Sequence, residues 1–583
     1  MTTVMPSTSA TPHEAEVARR EMRVFRWGAI LAFALACAWP LSFNLVDPDL
    51  WGHVRYGQDW LAEGELPRTA THTFTAVDYP WINHENLAEL ALAGCYDTFG
   101  VSGMLLAKCL LGMGIVLAMV WTASQHGVHP FVSWSLMLVA TTNLQPFFPL
   151  RPQLLSFALC AVALVLLDRG FRDWQERREF DLRLLWCLPL VFIVWVNAHG
   201  GFVAGLCIVG AYLGGRIVEL LLRRKNISWS QVGQLTLVGA ACIAATLVNP
   251  YGWELHRWLA VSLIEPRPEI TEWLAPHPSD PVFWPWLTML GVIAASLVGT
   301  QKRRDWVEIA ILLLVVWQSA LHLRHIAFVA LLCGFWIPPH LQSALRRLLP
   351  ANGENSFSLT FSPWLRRVVI VVLLAAIGLQ SFALDERLQN FPVDRGRFPV
   401  DAIQFMADRN LEGKLVASFN WSQYAIAALA PRVTVGFDGR YDTCYPLEVV
   451  DMHFDFLLGE AEGLRNRSPN SGPVDGTKLL EFEQPDLVLI DRHYENPLAI
   501  MQAEAEQPKP NWVLLYRDRV AELWGRSTKY ANPASTAYIP VNHRVQDASP
   551  REGEIPWPAL PLPSNQQQVA AETLPTSTTD TSL

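Results

Sequence analysis

Over the first 385 residues the apolar positions run in unbroken blocks parted by short polar segments, with neither the stripe of an amphipathic helix nor the alternation of a strand. A helix that is apolar all round is buried in protein or in lipid, and a bilayer core about 30 Å thick takes about 20 residues at 1.5 Å rise each. Eleven blocks fit, near 24–44, 101–122, 131–148, 152–168, 184–197, 201–222, 231–248, 283–300, 306–322, 326–343 and 368–384. Almost nothing separates the pair at 184–197 and 201–222, so either is a candidate for a tilted or re-entrant segment.

Between 386 and 526 the pattern changes to short apolar runs between turn residues. Pro399–Asn410 and Ser422–Leu429 read as helices. Leu415–Phe419, Val433–Phe437, Asp486–Ile490, Trp512–Tyr516 and Val520–Trp524 read as strands, the last two joined by a tight Arg517-Asp518-Arg519 turn. The expected architecture is therefore a polytopic α-helical membrane protein (24–385, first external loop 45–100) with a small C-terminal α/β domain (386–526). Residues 1–23, and 527–583 with their Pro, Ser, Thr and Gln, read as disordered tails.

Cations fall on alternate polar segments. Arg19, Arg20, Arg23 and Arg26 precede the first block, and Arg169, Arg172, Arg177, Arg178 and Arg183 follow the fourth. Arg223, Arg224 and Lys225 follow the sixth, and Lys302, Arg303, Arg304, Arg346, Arg347, Arg366 and Arg367 continue the series. The other segments hold only scattered cations. Lys and Arg beside short loops stay in the cytoplasm, which puts the N-terminus there. With an odd span count the α/β domain lies in the periplasm of a bacterial inner membrane. The first block resembles a signal peptide in its preceding arginines and in Ala34, Ala36 and Ala38. Its run is longer than a leader's and ten blocks follow, so it is read as retained.

Composition agrees: 51% of residues are hydrophobic and 17% charged, against about a quarter charged in soluble domains. The absence of a basic face argues against nucleic acid as a partner. No G-x-G-x-x-G follows a strand and no P-loop occurs, so nucleotide binding has no support. Seven of the nine cysteines lie in apolar blocks as small hydrophobes. Cys95 and Cys444 fall in external segments, as two separate thiols or, in an oxidising compartment, as a pair.

The 45–100 loop concentrates polar and aromatic residues: Asp47-Pro48-Asp49-Leu50-Trp51-Gly52-His53, then Arg55 and Tyr56, and later Trp81-Ile82-Asn83-His84-Glu85. With Pro48 opening a helix, Asp47 reads as its N-cap, Asp49 lies in the first turn and His53 is one turn further on the same face. Capping alone accounts for Asp47. Asp49 has no such duty, and the positive end of a helix dipole keeps its carboxylate ionised. Other polar residues gather at the same expected ends of the spans: Arg151-Pro152-Gln153, Asn197, His199, His322, Arg324 and His325, with Lys108 in the outer third of the second span. Snorkelling explains any one cation, but not the gathering of histidines, asparagines and acids.

In order and sidedness these motifs resemble the integral-membrane glycosyltransferases of the GT-C fold, in particular the RgtA/B/C/D-like group. The resemblance rests on Asp47 and Asp49, Trp51, His53, Trp60, the Trp81 to Glu85 segment, Arg151-Pro152-Gln153, Asn197 to Gly201, and Arg324-His325, over most of 24–345. It implies a donor sugar on polyprenyl phosphate and a first-loop acid at the reaction centre. Asp49 is the first candidate for that acid and Asp47 the second, because Asp-Pro-Asp replaces the commoner Asp-Glu pair. Such a transfer passes through an oxocarbenium-like state and needs a base for the acceptor hydroxyl and cations for the departing phosphate. Asp49, with Asp47 and His53, suits the first task; Arg151, Arg324, His325 and Lys108 suit the second. His84, Glu85, Asn197 and His199 are further candidates, and Mg or Mn on Asp47 and Asp49 is an alternative source of positive charge. The acceptor is an envelope component of unspecified kind. Phe419-Asn420-Trp421-Ser422-Gln423-Tyr424 is only faintly similar to the Trp-Trp-Asp-Tyr-Gly of oligosaccharyltransferases and supports no peptide acceptor. A non-enzymatic membrane scaffold or envelope-polymer binder is the alternative. A transporter fits less well, since no internal repeat is evident and the polar groups avoid the midplane.

Overall fold

All eleven apolar blocks lie on helices. The structure is a computed structural model that describes residues 12–172, 174, 182–222, 227–348, 363–461, 465–546, 548 and 551–562. The cation-rich stretches at 175–181 and 223–226 and the tail portions 1–11 and 563–583 lie outside the described residues. The helices of the first part are α1 (Pro12–Leu41), α2 (Leu50–Glu63), α3 (Asn86–Gln125), α4 (Pro130–Leu144), α5 (Gln153–Phe171), α6 (Leu188–Ala198) and α7 (Phe202–Leu222). There follow α8 (Trp229–Ala245), α9 (Trp253–Ser262), α10 (Phe283–Gly299), α11 (Trp306–Leu321), α12 (Ile326–Trp336), α13 (Pro338–Leu348) and α14 (Pro363–Gln389).

The expected eleven spans are helices of unequal length. Among the described residues five (in α1, α3, α5, α7 and α14) are long and apolar enough to cross a membrane alone, and α12 with α13 makes a sixth if the pair counts as one span. That pair bends by 62°, where Pro338 opens α13 and lacks the N–H that would continue α12. Leu182–Ala198, α10 and α11 are shorter. Within α3 the chain breaks at Gly100, whose φ of 65° suits glycine, so the apolar run from 101 starts a new helical segment. α14 leaves Trp364, Val371, Val372, Leu379 and Phe382 exposed, the surface of a helix that faces lipid. At the far ends of α7 and α11 from His199 and His322, Arg216, 1% exposed, bonds Asp305 at 2.6 and 3.1 Å.

The C-terminal domain is built on five strands: β2 (Gly413–Ala417), β3 (Val433–Val435), β4 (Leu487–Asp491), β5 (Trp512–Arg517) and β6 (Ala521–Arg526). A further strand, β1 (Pro392–Asp394), precedes them. Their order is β3-β2-β4-β6-β5, with β2 parallel to β3 and β4, and β6 antiparallel to β4 and β5. All five expected strands and both expected helices, α15 (Val400–Asp408) and α16 (Ser422–Leu429), are present. α17 (Leu447–Leu458), α18 (Lys478–Glu481) and α19 (Glu495–Ala505) were not expected.

The tail expected from 527 is corrected for the described residues. Ser527–Tyr530 forms α20, and Glu554–Pro556 forms β7, antiparallel to β1. Trp557 is 3% exposed and packs on Tyr96 and Trp51 at ring separations of 5.0 and 6.2 Å. Polar, proline-rich composition masked one buried tryptophan, and burial of an aromatic of that size outweighs the ordering cost of a short segment.

The 45–100 segment is part of the same body. Thr73 bridges Val435 at the edge of β3, the Val435 N–H donates to His72 O at 2.9 Å and the Phe74 N–H to Val435 O at 3.2 Å, so the loop covers an open sheet edge. α2 packs between α3 and α16. Trp51 is a core residue here: its ring packs tilted against Tyr424 at 4.8 Å and its indole N–H donates to Pro558 O at 2.8 Å.

Candidate functional site

A cavity of about 880 Å³ opens where the ends of α6 and α11, the starts of α5 and α7, the 45–100 segment and the C-terminal domain meet. Asp47, Asp49, His53, His84, Glu85, Arg151, His199, Arg324 and His325 all line it. Two candidates are elsewhere. Lys108 is 3% exposed and gives its ammonium to Phe43 O, while Asn197 donates to Ile193 O and Val248 O, both at 2.8 Å, joining the ends of α6 and α8. Both bond backbone carbonyls and lie outside the lining of the cavity.

Arg151, just before α5, gathers three acids. Its Nε lies 2.6 Å from Asp47 Oδ2, one terminal nitrogen 2.8 Å from Asp49 Oδ2 and the other 3.0 Å from Glu272 Oε1. The helix begins later than expected: Asp49 is the N-cap residue of α2 and makes no side-chain cap, while Asp47 Oδ1 accepts the Asp49 N–H at 2.9 Å. Burial pushes the Asp49 carboxyl up to about 6, against the pull of Arg151 and with the push of Asp47.

His53 does not face Asp49 as a partner. Its Nδ1 is 3.3 Å from Glu89 Oε1 and 4.0 Å from Glu85 Oε2. Burial opposes its charge, but the Glu89 bond and the Glu85, Glu89 and Asp49 carboxylates outweigh that and raise it to about 9. Burial likewise opposes charge on Glu85, yet His84, His53, His199 and Arg151 hold its carboxyl below the usual glutamate range. His199 Nδ1 accepts the Gly201 N–H at 2.9 Å; its Nε2 therefore carries the proton of the neutral ring, 3.6 Å from Glu85 Oε1. His84 lies against Trp258, ring to ring at 5.2 Å.

The metal expectation shifts. Arg151 already stands between Asp47 and Asp49, whereas His53, Glu85 and Glu89 bring three ligand atoms within 4.8 Å of one another. One imidazole and two carboxylates could hold a divalent transition ion such as Mn more readily than Mg, which takes oxygen ligands, once His53 gives up its proton.

Arg324 makes no ion pair or hydrogen bond among the described residues; its guanidinium lies 4.1 Å from the Trp273 ring. His325 stands beside His322, ring to ring at 5.8 Å. One wall of the cavity is apolar, with Phe157, Ile208, Ile311, Val315 and Phe328.

Sequence reading missed Glu89, Glu272, Gln423 and Gly439. For Glu89 a signal existed, since Glu85 and Glu89 are four apart and share a helix face. For Glu272, Gln423 and Gly439 there was none; long-range packing brings them in. All nine cysteines are free, Cys95 and Cys444 included.

No family model and no curated protein matches the chain. Among solved structures it is similar to ArnT from Cupriavidus metallidurans in the apo state, at 14% identity over 90% of this chain and 100% of that one, TM-score 0.49. It is also similar to the archaeal oligosaccharyltransferase AglB from Archaeoglobus fulgidus, in complex with an inhibitory peptide and a dolichol-phosphate, at 12% identity over 81% and 69%, TM-score 0.48. The third is the arabinofuranosyltransferase AftD from Mycobacteria, at 15% identity over 86% and 40%, TM-score 0.44.

Proposed function

We propose that this protein is a membrane glycosyltransferase that moves a sugar from a polyprenyl-phosphate donor to an envelope acceptor on the periplasmic side of a bacterial inner membrane. One observation carries the reading: a carboxyl of raised pKa, Asp49, and a guanidinium without a carboxylate partner among the described residues, Arg324, line one cavity that also has an apolar wall. Asp49 takes the proton of the acceptor hydroxyl as that oxygen attacks the anomeric carbon. The bond from that carbon to the phosphate oxygen breaks through an oxocarbenium-like state, and Arg324, Arg151 and His325 hold the departing phosphate. The polyprenyl chain lies along Phe157, Ile208, Ile311, Val315 and Phe328. His53, Glu85 and Glu89 would hold a divalent ion, which would supply further positive charge to the site.

The test compares envelope glycolipids and glycans by mass spectrometry with the gene intact, deleted, and restored as wild type or as Asp49→Asn. A glycan lost on deletion, restored by wild type and not by Asp49→Asn is expected. An unchanged glycan profile on deletion turns the reading toward a scaffold. Reporters fused after residues 178, 225 and 304 are expected in the cytoplasm and those after 90, 265 and 450 in the periplasm; a periplasmic 304 with a cytoplasmic 450 overturns the orientation.

A further inference from the structure

Each of the two arginines assigned to the donor phosphate is covered by one residue of a single turn, Thr271–Trp273, in the segment between α9 and α10. Glu272 Oε1 holds Arg151 at 3.0 Å, and the next residue, Trp273, lays its ring against Arg324. The turn is tied down from two sides. On the helical side the Leu323 N–H donates to Leu274 O at 2.9 Å and a His322 ring nitrogen lies 2.7 Å from Trp273 O. On the C-terminal domain, Arg267 pairs with Asp442 at 2.7 Å, and Asn466 donates its N–H to Glu269 and its amide to Pro266 O.

We infer that Glu272 is an intramolecular stand-in for the donor phosphate, which with Trp273 caps the Arg151 and Arg324 subsite at rest and withdraws when a polyprenyl phosphate arrives. The inference rests on the phosphate assignment proposed above. Of the three acids on Arg151, Asp47 and Asp49 have side chains 10% and 26% exposed, and Glu272 36%. Asp47 and Asp49 are fixed at the start of α2, so Glu272, the most exposed of the three and on a connecting segment, is the acid a ligand displaces without disturbing a helix. A phosphodiester carries one negative charge. Exchanging it for the Glu272 carboxylate leaves the charge around Arg151 unchanged, whereas adding it beside all three acids sets four anions on one guanidinium. Because Glu272 and Trp273 are adjacent, one movement of the turn that breaks the Leu323–Leu274 and His322–Trp273 bonds frees both arginines. The fraction of molecules with the turn withdrawn then scales the apparent affinity for the donor.

The test measures binding of a long-chain polyprenyl methyl phosphate, a phosphodiester with one negative charge, to the full-length protein in nanodiscs, with the uncharged polyprenol as control. Glu272→Gln is expected to tighten the phosphate about three- to tenfold and to leave polyprenol unchanged; Glu272→Asp, shorter by one methylene, is expected to move in the same direction if the glutamine form does not fold. Arg151→Gln and Arg324→Gln are expected to weaken the phosphate. Unchanged affinity in both folded Glu272 variants, with loss in the arginine variants, overturns the stand-in and keeps the phosphate assignment. Unchanged affinity in both arginine variants removes that assignment, and the inference with it.

Discussion

Gly439 of the C-terminal domain stands so close to Asp49 that a Cβ at 439 would overlap the Asp49 carboxylate and the amide nitrogen of Gln423. Gln423 in turn lies against Gly52, leaving no room for a Cβ there either. The C-terminal domain is therefore a wall of the cavity, built against the acid at its centre. Gln423 is 3% exposed and its amide oxygen has no hydrogen-bond partner among the described residues.

Gly439→Ala is accordingly expected to shift Asp49 or Gln423 by a fraction of an ångström. Overpacking of this kind costs about 1–3 kcal/mol, whereas misplacing a reacting group costs about 10–100-fold in rate. Glycan transfer per folded molecule is the measurement that separates them; full transfer would show that the contact leaves Asp49 in place.

Asp49→Asn is expected to reduce transfer by about 10²–10⁴-fold with folding and insertion retained. Asp47→Asn is expected to be milder, because Asn still accepts the Asp49 N–H. The base form of Asp49 is its carboxylate, so wild-type transfer should fall as pH drops through about 6. An acid limb that persists unchanged in Asp49→Asn would assign it to another group. Equal, severe loss in both variants that responds to Mn²⁺ or Mg²⁺ would point to a shared metal.

Arg324→Ala is expected to weaken donor use, with Arg324→Lys restoring it only in part, since lysine lacks the planar fork that meets two phosphate oxygens. Donor concentration curves check this: the loss should appear as a raised requirement for the lipid donor, and normal donor dependence in the alanine form would refute the assignment.

His53 gives a stability prediction with a definite sign. Its pKa in the folded state, about 9, lies above the ordinary 6.5, so its pairing with Glu89 and Glu85 contributes fully below about pH 6.5 and is lost as pH rises through about 9. The thermal midpoint of the wild type should fall across that window by more than that of His53→Gln. Parallel curves would mean that the imidazole is not held charged.

Trp557→Ala is expected to cost about 3–5 kcal/mol, the range for emptying a buried aromatic site, read as earlier thermal unfolding. A change within experimental scatter would return this segment to the polar tail that its composition suggested.

The sequence by itself determined the helical blocks, the change of period near 386, every strand of the five-stranded sheet, and the gathering of Arg151, His199 and Arg324 at corresponding ends of the helices. These follow from local rules: apolar run length, alternation and the position of a residue along a helix of known rise. Only tertiary structure decided which partners those residues meet. His53 turns to Glu89 rather than Asp49, Lys108 goes to a backbone carbonyl, and Glu272 and Gly439 reach Arg151 and Asp49 across more than a hundred residues of chain. The start of α2 moved as well: the Asp47 carboxylate accepts the Asp49 N–H and both acids meet Arg151, a partner no local pattern names. Trp557 entered the core for the same reason: burial depends on what surrounds a side chain in space, and no local pattern around a single tryptophan in a proline-rich segment records it.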